Sequence, residues 1–239
     1  NYGGSGVGIP NVGDSLHSIK RTLFDEGRFT GQQILDALRS DFAGHEDMQT
    51  YLRSLPRYGA DDEAPDSMVD RVLCTFTDCL RSHRTPHGGT AYPIILGFVW
   101  VVEHGKQVGA TPDGRNAGRP FAHGLSPQSG SAVKGVTGAI QSATSLSLDR
   151  VSGGGAMMWD LDPTWATPEV VKPLLQTFIQ QGGHIFQGNA TSIDELIEAQ
   201  KNPEEHRDLV VRVSGFSARF VSLSEALQND IISRCRYRD

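Results

Sequence analysis

The residues best placed for unusual chemistry lie near the C-terminus, in Arg212-Val213-Ser214-Gly215-Phe216-Ser217-Ala218-Arg219-Phe220. The apolar pattern of residues 209–213 predicts a strand. It runs into a loop with glycine at its tip, aromatic residues follow at 216 and 220, and Ser224 is placed to cap a helix. Read from composition alone, Gly215 supplies the permissive dihedrals of a tight turn and Phe220 fills the core.

Two further predicted strands carry polar residues. In the strand at 156–161, Asp160 and Asp162 share one face, where they are placed to polarise a substrate, pair with Arg150 or cap the turn before Pro163. Met157, Trp159 and Leu161 take the other face. Gln187 and Asn189 alternate on a strand at 184–190. Both strands are expected to border the same cavity as Gly215, which makes Trp159, Asp160, Gln187 and Asn189 the candidate substrate contacts. Cys74 and Cys79 fall on a predicted helix and Cys235 in the last turn. They read as packing or surface thiols. An odd count without paired spacing points to a reducing compartment, the cytoplasm. His83 and His87 straddle Pro86 and make no helical metal pair. The glycines at 3, 4, 6 and 8 make no dinucleotide-binding pattern.

The elements that must hold these residues follow from periodicity. Asp14 is placed to cap a helix to about residue 26, with Leu16, Ile19, Leu23 and Phe24 inward and Gly27 as its stop. Thr30 caps a second helix with Ile34, Leu35 and Leu38 inward. A third spans about 45–55, an acidic loop 58–65, and a longer helix 66–83. The apolar run at 91–102 reads equally as strand or helix. Residues 109–127 are turn-rich, and 131–146 form a small-residue helix. A helix at 168–181 closes on Gly182, and another capped by Ser192 runs to 201. Strands alternating with helices predict α/β packing. The chain divides into a mainly helical part, 1–108, and a second part, 109–239.

Composition narrows the function classes. Of 239 residues, 38% are hydrophobic and 21% charged, with a net charge of −6, as in ordinary globular proteins. A nucleic-acid partner would require a basic face; Arg234, Arg236 and Arg238 are few and read as a solvated tail or helix end. No apolar run approaches the ~20 residues of a membrane span. The Gly-rich opening without methionine reads as a connection inside a longer protein.

Arg212-Val213-x-Gly215-Phe216-x-x-x-Phe220 resembles the C-terminal motif of the glycyl radical enzymes, the family of pyruvate formate-lyase, the radical diol, choline and hydroxyproline lyases and benzylsuccinate synthase. Gly109-Ala110-Thr111-Pro112-Asp113-Gly114-Arg115 is similar to a second family stretch. Looser likenesses include Asp14-Ser15-Leu16, Tyr58-Gly59, and Gly182-Gly183 followed by Gln187 and Asn189. The resemblance implies an α/β fold, the second half of a ten-stranded barrel with outer helices and a C-terminal radical loop. It implies a radical stored on Gly215, installed by a radical S-adenosylmethionine activase, with no bound metal. Loss of a Cα hydrogen there leaves a planar radical spread over the adjoining amide nitrogen and carbonyl, which a side chain would twist and crowd. Such a centre needs apolar, dry surroundings, and Arg212, Val213, Ser214, Phe216 and Phe220 are the residues expected to support the loop. The resemblance also implies radical cleavage of a C–C or C–heteroatom bond in a small polar substrate, and a homo-oligomer. The family's thiyl cysteine motif is absent from this chain, so that cysteine is expected in an N-terminal half-barrel upstream or in another chain. A formate acetyltransferase-like enzyme and a non-catalytic radical-bearing subunit are the alternatives. Where many eliminating members carry Asn and Lys on the 156–161 strand, this chain has Trp159 and Asp160.

Overall fold

A computed structural model describes residues 2–129, 131, 134–234 and 236–237, the last two for their backbone only. The helical patterning of the first hundred residues is realised as α1 (Ile9–Ile19), α2 (Gly31–Arg39), α3 (Glu46–Ser54), α4 (Glu63–Ser82) and α5 (Trp100–Gln107), with strands β1 (Tyr2–Ser5) and β2 (Ala91–Ile94). α1 continues into a π-helical turn over Lys20–Asp25, ending before Gly27, where φ is +59°.

Helix α1 departs from expectation in an informative way. Gly8 in the left-handed region and Pro10 in the first turn start it at Ile9, so Asp14 is an interior residue and not a cap. Its inward face is polar: Asn11, Asp14, His17 and Ser18 are buried, while Leu16 and Phe24 are 42% and 74% exposed. The reason lies in its neighbours. Gly13 sits so close to α4 that a Cβ there would lie 2.3 Å from Val69 Cγ2. The polar side chains beside it satisfy loop backbone: Asn11 Oδ1 accepts from Ala122 N at 2.8 Å, and Asp14 Oδ1 accepts from Tyr58 N at 2.9 Å. Buried loop amides must find partners, and this helix supplies them. Tyr58 is accordingly fully buried and donates to the Leu125 carbonyl, so the acidic loop is anchored at its start.

Other boundaries follow local chemistry. A reciprocal Thr30–Gln33 capping box opens α2, although Leu35 faces outward. Helix α4 begins at Glu63, ahead of its expected start at 66, with Asp62 as its cap. The ambiguous run at 91–102 is both things in turn, β2, a short loop, then α5.

The second part contains α6 (Gly135–Thr144), β3 (Ala156–Leu161), α7 (Pro168–Gln180), β4 (Ile185–Asn189), α8 (Ile193–Lys201), β5 (Val210–Arg212), β6 (Ser217–Arg219), α9 (Glu225–Ser233) and β7 (Arg236–Tyr237). The expected helix at 131–146 is present from Gly135; residues 132–133 lie outside the described residues. β1 pairs with β2, and β3 with β4 and β7, all in parallel. A parallel bridge between Ile95 and Gly155 joins the two sets. Every residue of β3 is buried, as expected of a parallel strand covered on both faces. On one face Met157, Trp159 and Leu161 pack against Val136, Ile140, Leu174 and Phe178 of α6 and α7. β5 and β6 form an antiparallel hairpin. It packs with α8 and α9 around Leu196, Ala199, Val211, Val213, Phe220 and Ile231.

Candidate active site

Gly215 sits at the tip of the β5–β6 hairpin. Val213 N donates to the Phe216 carbonyl at 2.9 Å and closes the turn. The turn places Gly215 at φ +85°, a conformation that costs a residue with a side chain about 1–2 kcal/mol. Its N–H donates to Gln187 Oε1 at 2.5 Å. Val213, Ser214 and Phe220 are buried, while Gly215 and Phe216 are exposed on this chain. The expected enclosure of Gly215 is therefore not provided by these residues. Between the tip and the following helix stands a short second strand, β6, which the sequence pattern does not show.

The side chains predicted for substrate separate into two sets. Asp160, Gln187 and Asn189 lie on the other face of the sheet; Gln187 and Asn189 hydrogen-bond the hairpin, and Asp160 accepts from Asn189. Asn189 Nδ2 donates to Asp160 Oδ1 at 2.8 Å and to the Arg212 carbonyl at 2.9 Å, and its Oδ1 accepts from Arg212 N at 2.6 Å. Asn189 thus imitates one more strand residue for β5. Trp159 does not join them. Alternation turns its indole to the opposite face, fully buried, 5.3 Å from the Phe178 ring and 4.4 Å from Phe186. Its expected place beside Gly215 is corrected to the core. Asp162 caps the turn, accepting from Thr164 N at 3.0 Å.

A buried ionic network lies under the hairpin. Arg234 donates through Nη2 to the Val213 carbonyl at 2.8 Å and to Asp230 Oδ2 at 3.0 Å, with Nη1 3.9 Å from Asp160 Oδ2. Asp230 Oδ2 also lies 2.9 Å from His123 Nε2. Burial alone would raise the Asp230 pKa. His123 and Arg234 outweigh it and hold the carboxyl down at about 2. Arg234 stands at a helix end, as the C-cap of α9, but it is buried rather than solvated, 5% exposed. A usable signal is present in the sequence, since Asp230 and Arg234 stand i, i+4 around apolar Ile231. Cys235, Arg238 and the side chain of Arg236 lie outside the described residues.

The Gly109–Arg115 stretch is a structural knot. Arg115 places its guanidinium on the carbonyls of Val108, Gly109, Asn116 and Arg119, and over the Phe121 ring at 4.5 Å. Asp113 accepts from Thr111 Oγ1 at 2.5 Å and from Asn11 Nδ2 at 3.1 Å. Beside it lies a cavity of about 610 Å³ lined by Arg53, Arg57, Arg119 and Gln128 among others. The cavity bordered by Asp160 and Arg234 is about 30 Å³, room for about one water. Cys74 is half-buried beside Asp70, and Cys79 is exposed. Among the described residues, no group of three or more His, Cys, Asp and Glu side chains is arranged to hold a metal ion. No helix there is long and apolar enough to cross a membrane.

Comparison with known proteins decides what this arrangement belongs to. Residues 1–105 match the pyruvate formate lyase-like family and residues 121–221 the glycine radical family, whose match includes the whole hairpin. The chain is a member of the glycyl radical enzymes. Among the family's curated members, it is 38% identical to a probable dehydratase, YbiW, of Escherichia coli, over 97% of this chain and 30% of that protein. It is 33% identical to the trans-4-hydroxy-L-proline dehydratase of Clostridioides difficile, over 96% of this chain and 30% of that one. The fold superposes with a TM-score of 0.96 on the glycerol-bound B12-independent glycerol dehydratase of Clostridium butyricum, at 34% identity, covering 99% of this chain and 31% of that one. The chain thus spans about 30% of the length of the curated relatives it matches.

Proposed function

We propose that this chain is the radical-bearing C-terminal part of a glycyl radical lyase, a dehydratase or similar eliminase acting on a small polar substrate. The observation that carries the reading is Gly215 at the left-handed tip of its hairpin, its N–H fixed by Gln187. Storage of the radical begins when a radical S-adenosylmethionine activase removes one hydrogen atom from the Gly215 Cα. Gly215 then regains a hydrogen atom from a cysteine thiol, and the thiyl so formed attacks substrate. That cysteine belongs to an N-terminal half-barrel in a longer chain or a partner chain. With it, residues 1–108 and 109–239 supply the shell and second half of a ten-stranded barrel, in a cytoplasmic homo-oligomer.

In this reading Arg212, Val213, Ser214, Phe216 and Phe220 support the radical loop. Gln187, Asn189 and Asp160 are positioning residues, because their hydrogen bonds are already committed to the hairpin and to one another. The relatives' names, hydroxyproline and glycerol dehydratases beside isethionate sulfite-lyases, support cleavage of a C–heteroatom bond.

The test is anaerobic activation of the complete enzyme followed by electron paramagnetic resonance. A doublet split by the single remaining Cα hydrogen is expected, with turnover of substrate. Gly215→Ala should lose both, with circular dichroism checking the fold, since φ +85° strains alanine. A folded Gly215→Ala enzyme with full activity would overturn the assignment.

A further inference from the structure

The loop between β2 and α5 holds a bulky residue in left-handed backbone geometry. Phe98 has φ +45°. For a bulky residue that is a true outlier. Strain of this kind costs about 1–3 kcal/mol and persists only where the surroundings hold it. Here they do. On one side Ile95 is tied into the sheet, donating to the Gly154 carbonyl and accepting from Ala156 N, both at 3.0 Å. On the other, Val102 N closes on the Val99 carbonyl at 3.1 Å as α5 begins. Gly97 admits no side chain between them, because a Cβ there would lie 2.4 Å from Val101 Cγ1.

The result is a ring aimed at one place. A Cβ built on Gly215 would lie 2.7 Å from Phe98 Cε1 and 3.2 Å from Cδ1. The hydrogen that Gly215 carries at the L side-chain position therefore points into the Phe98 ring. The ring is 37% exposed on this chain, and the tip of the hairpin is what it touches.

We propose that Phe98 is a positioning and shielding residue for the carbon of Gly215. Its ring lies over one face of the planar radical and blocks the approach of oxygen and water from that side. The opposite face is left for the thiol partner. The strained φ is what directs the ring there from a segment remote in sequence. This inference rests on the reading of Gly215 as the radical site.

The test uses the complete enzyme, activated anaerobically, in wild-type form and as Phe98→Ala, Phe98→Gly and Phe98→Tyr. Radical is quantified by paramagnetic resonance against time, first without oxygen and then after mixing with air-saturated buffer. Oxygen consumes the signal by forming a C–O bond at the radical carbon. Phe98→Ala and Phe98→Gly should lose signal in air several-fold faster than wild type, and Phe98→Tyr at the wild-type rate. Phe98→Gly relieves the backbone strain, so a fast loss in that variant assigns the effect to the ring and not to misfolding. Equal decay in wild type and a folded Phe98→Ala or Phe98→Gly overturns the proposal while leaving Gly215 as the radical site. Absence of any glycyl signal in activated wild type overturns the reading beneath it. If Phe98→Ala fails to fold, the comparison of Phe98→Gly with Phe98→Tyr decides the matter in the same way.

Discussion

Replacing Asn189 with alanine should loosen the Gly215 hairpin without unfolding the sheet. Asn189 makes three hydrogen bonds, two with the backbone of Arg212 and one to the Asp160 carboxylate. The Arg212 carbonyl keeps a second donor in Arg234 Nη1 at 3.3 Å, so its loss is small. Arg212 N is left without its acceptor, and Asp160 loses one donor. At about 1–1.5 kcal/mol for each such group, the local opening free energy falls by about 2–3 kcal/mol. That is a rise of about 30- to 150-fold in the open population, at 1.4 kcal/mol per factor of ten. Native-state hydrogen exchange in the complete enzyme reads it directly. Amides of Arg212, Val213 and Gly215 should exchange faster by this factor, and those of β3 should not change. Asn189→Asp should loosen the hairpin further, because it sets a second carboxylate against Asp160. Unchanged exchange at Arg212 in Asn189→Ala, or an equal rise throughout β3, would refute the idea that this side chain clamps the hairpin.

Three other outcomes are expected. Trp159→Ala should cost about 3–5 kcal/mol in denaturant unfolding, while Trp159→Phe costs far less, because no hydrogen bond is found at the buried indole Nε1 among the described residues; a mild Trp159→Ala would contradict its core placement. Burial raises the Asp14 pKa to about 7, so the folded state binds a proton that the unfolded chain releases near pH 4. Stability should fall as pH rises from about 4 to 7, and Asp14→Asn should flatten that slope by up to about 4 kcal/mol; a variant with an unaltered pH profile would argue against it. Asp230 has the opposite sign. Its pKa of about 2 gives a contribution fully present above about pH 4 and lost on acidification toward pH 2, which Asp230→Asn should remove from the acid unfolding curve.

Much of this arrangement is readable from residue types. Thr30 and Ser192 stand where caps stand, and β3, α7 and β4 begin and end within a residue or two of their patterned runs. The Gly215 motif is legible because its residues adjoin in sequence. What escapes is set by partners remote along the chain. Periodicity alone turns the apolar side of α1 inward, since nothing local reveals that loops at 58 and 122 require its polar side. Strand β6 is three residues of mixed polarity, Ser217–Arg219, and owes its form to pairing with β5. Asp160, Gln187 and Asn189 are expected near Gly215 on strand pattern alone, but the hold of Gln187 and Asn189 on the hairpin depends on an antiparallel turn that period-two patterning does not show. Trp159 follows simple alternation, and its separation from Asp160 is already implied by the strand.

The hairpin, α8 and α9 enclose an apolar interior of their own around Val211, Val213, Phe220 and Ile231, joined from outside by Val99. Their seam with the sheet is made instead by Gln187, Asn189, Arg234 and the His123–Asp230 pair. Heat capacity rises when apolar surface meets water and falls when polar surface does. Parting along this seam would expose mostly polar groups, so its heat-capacity change is small beside that of global unfolding. The equilibrium of that parting then follows a nearly straight line with temperature, while the stability of the whole protein follows a dome. Cold, which erodes apolar cores, would leave the grip on Gly215 almost untouched.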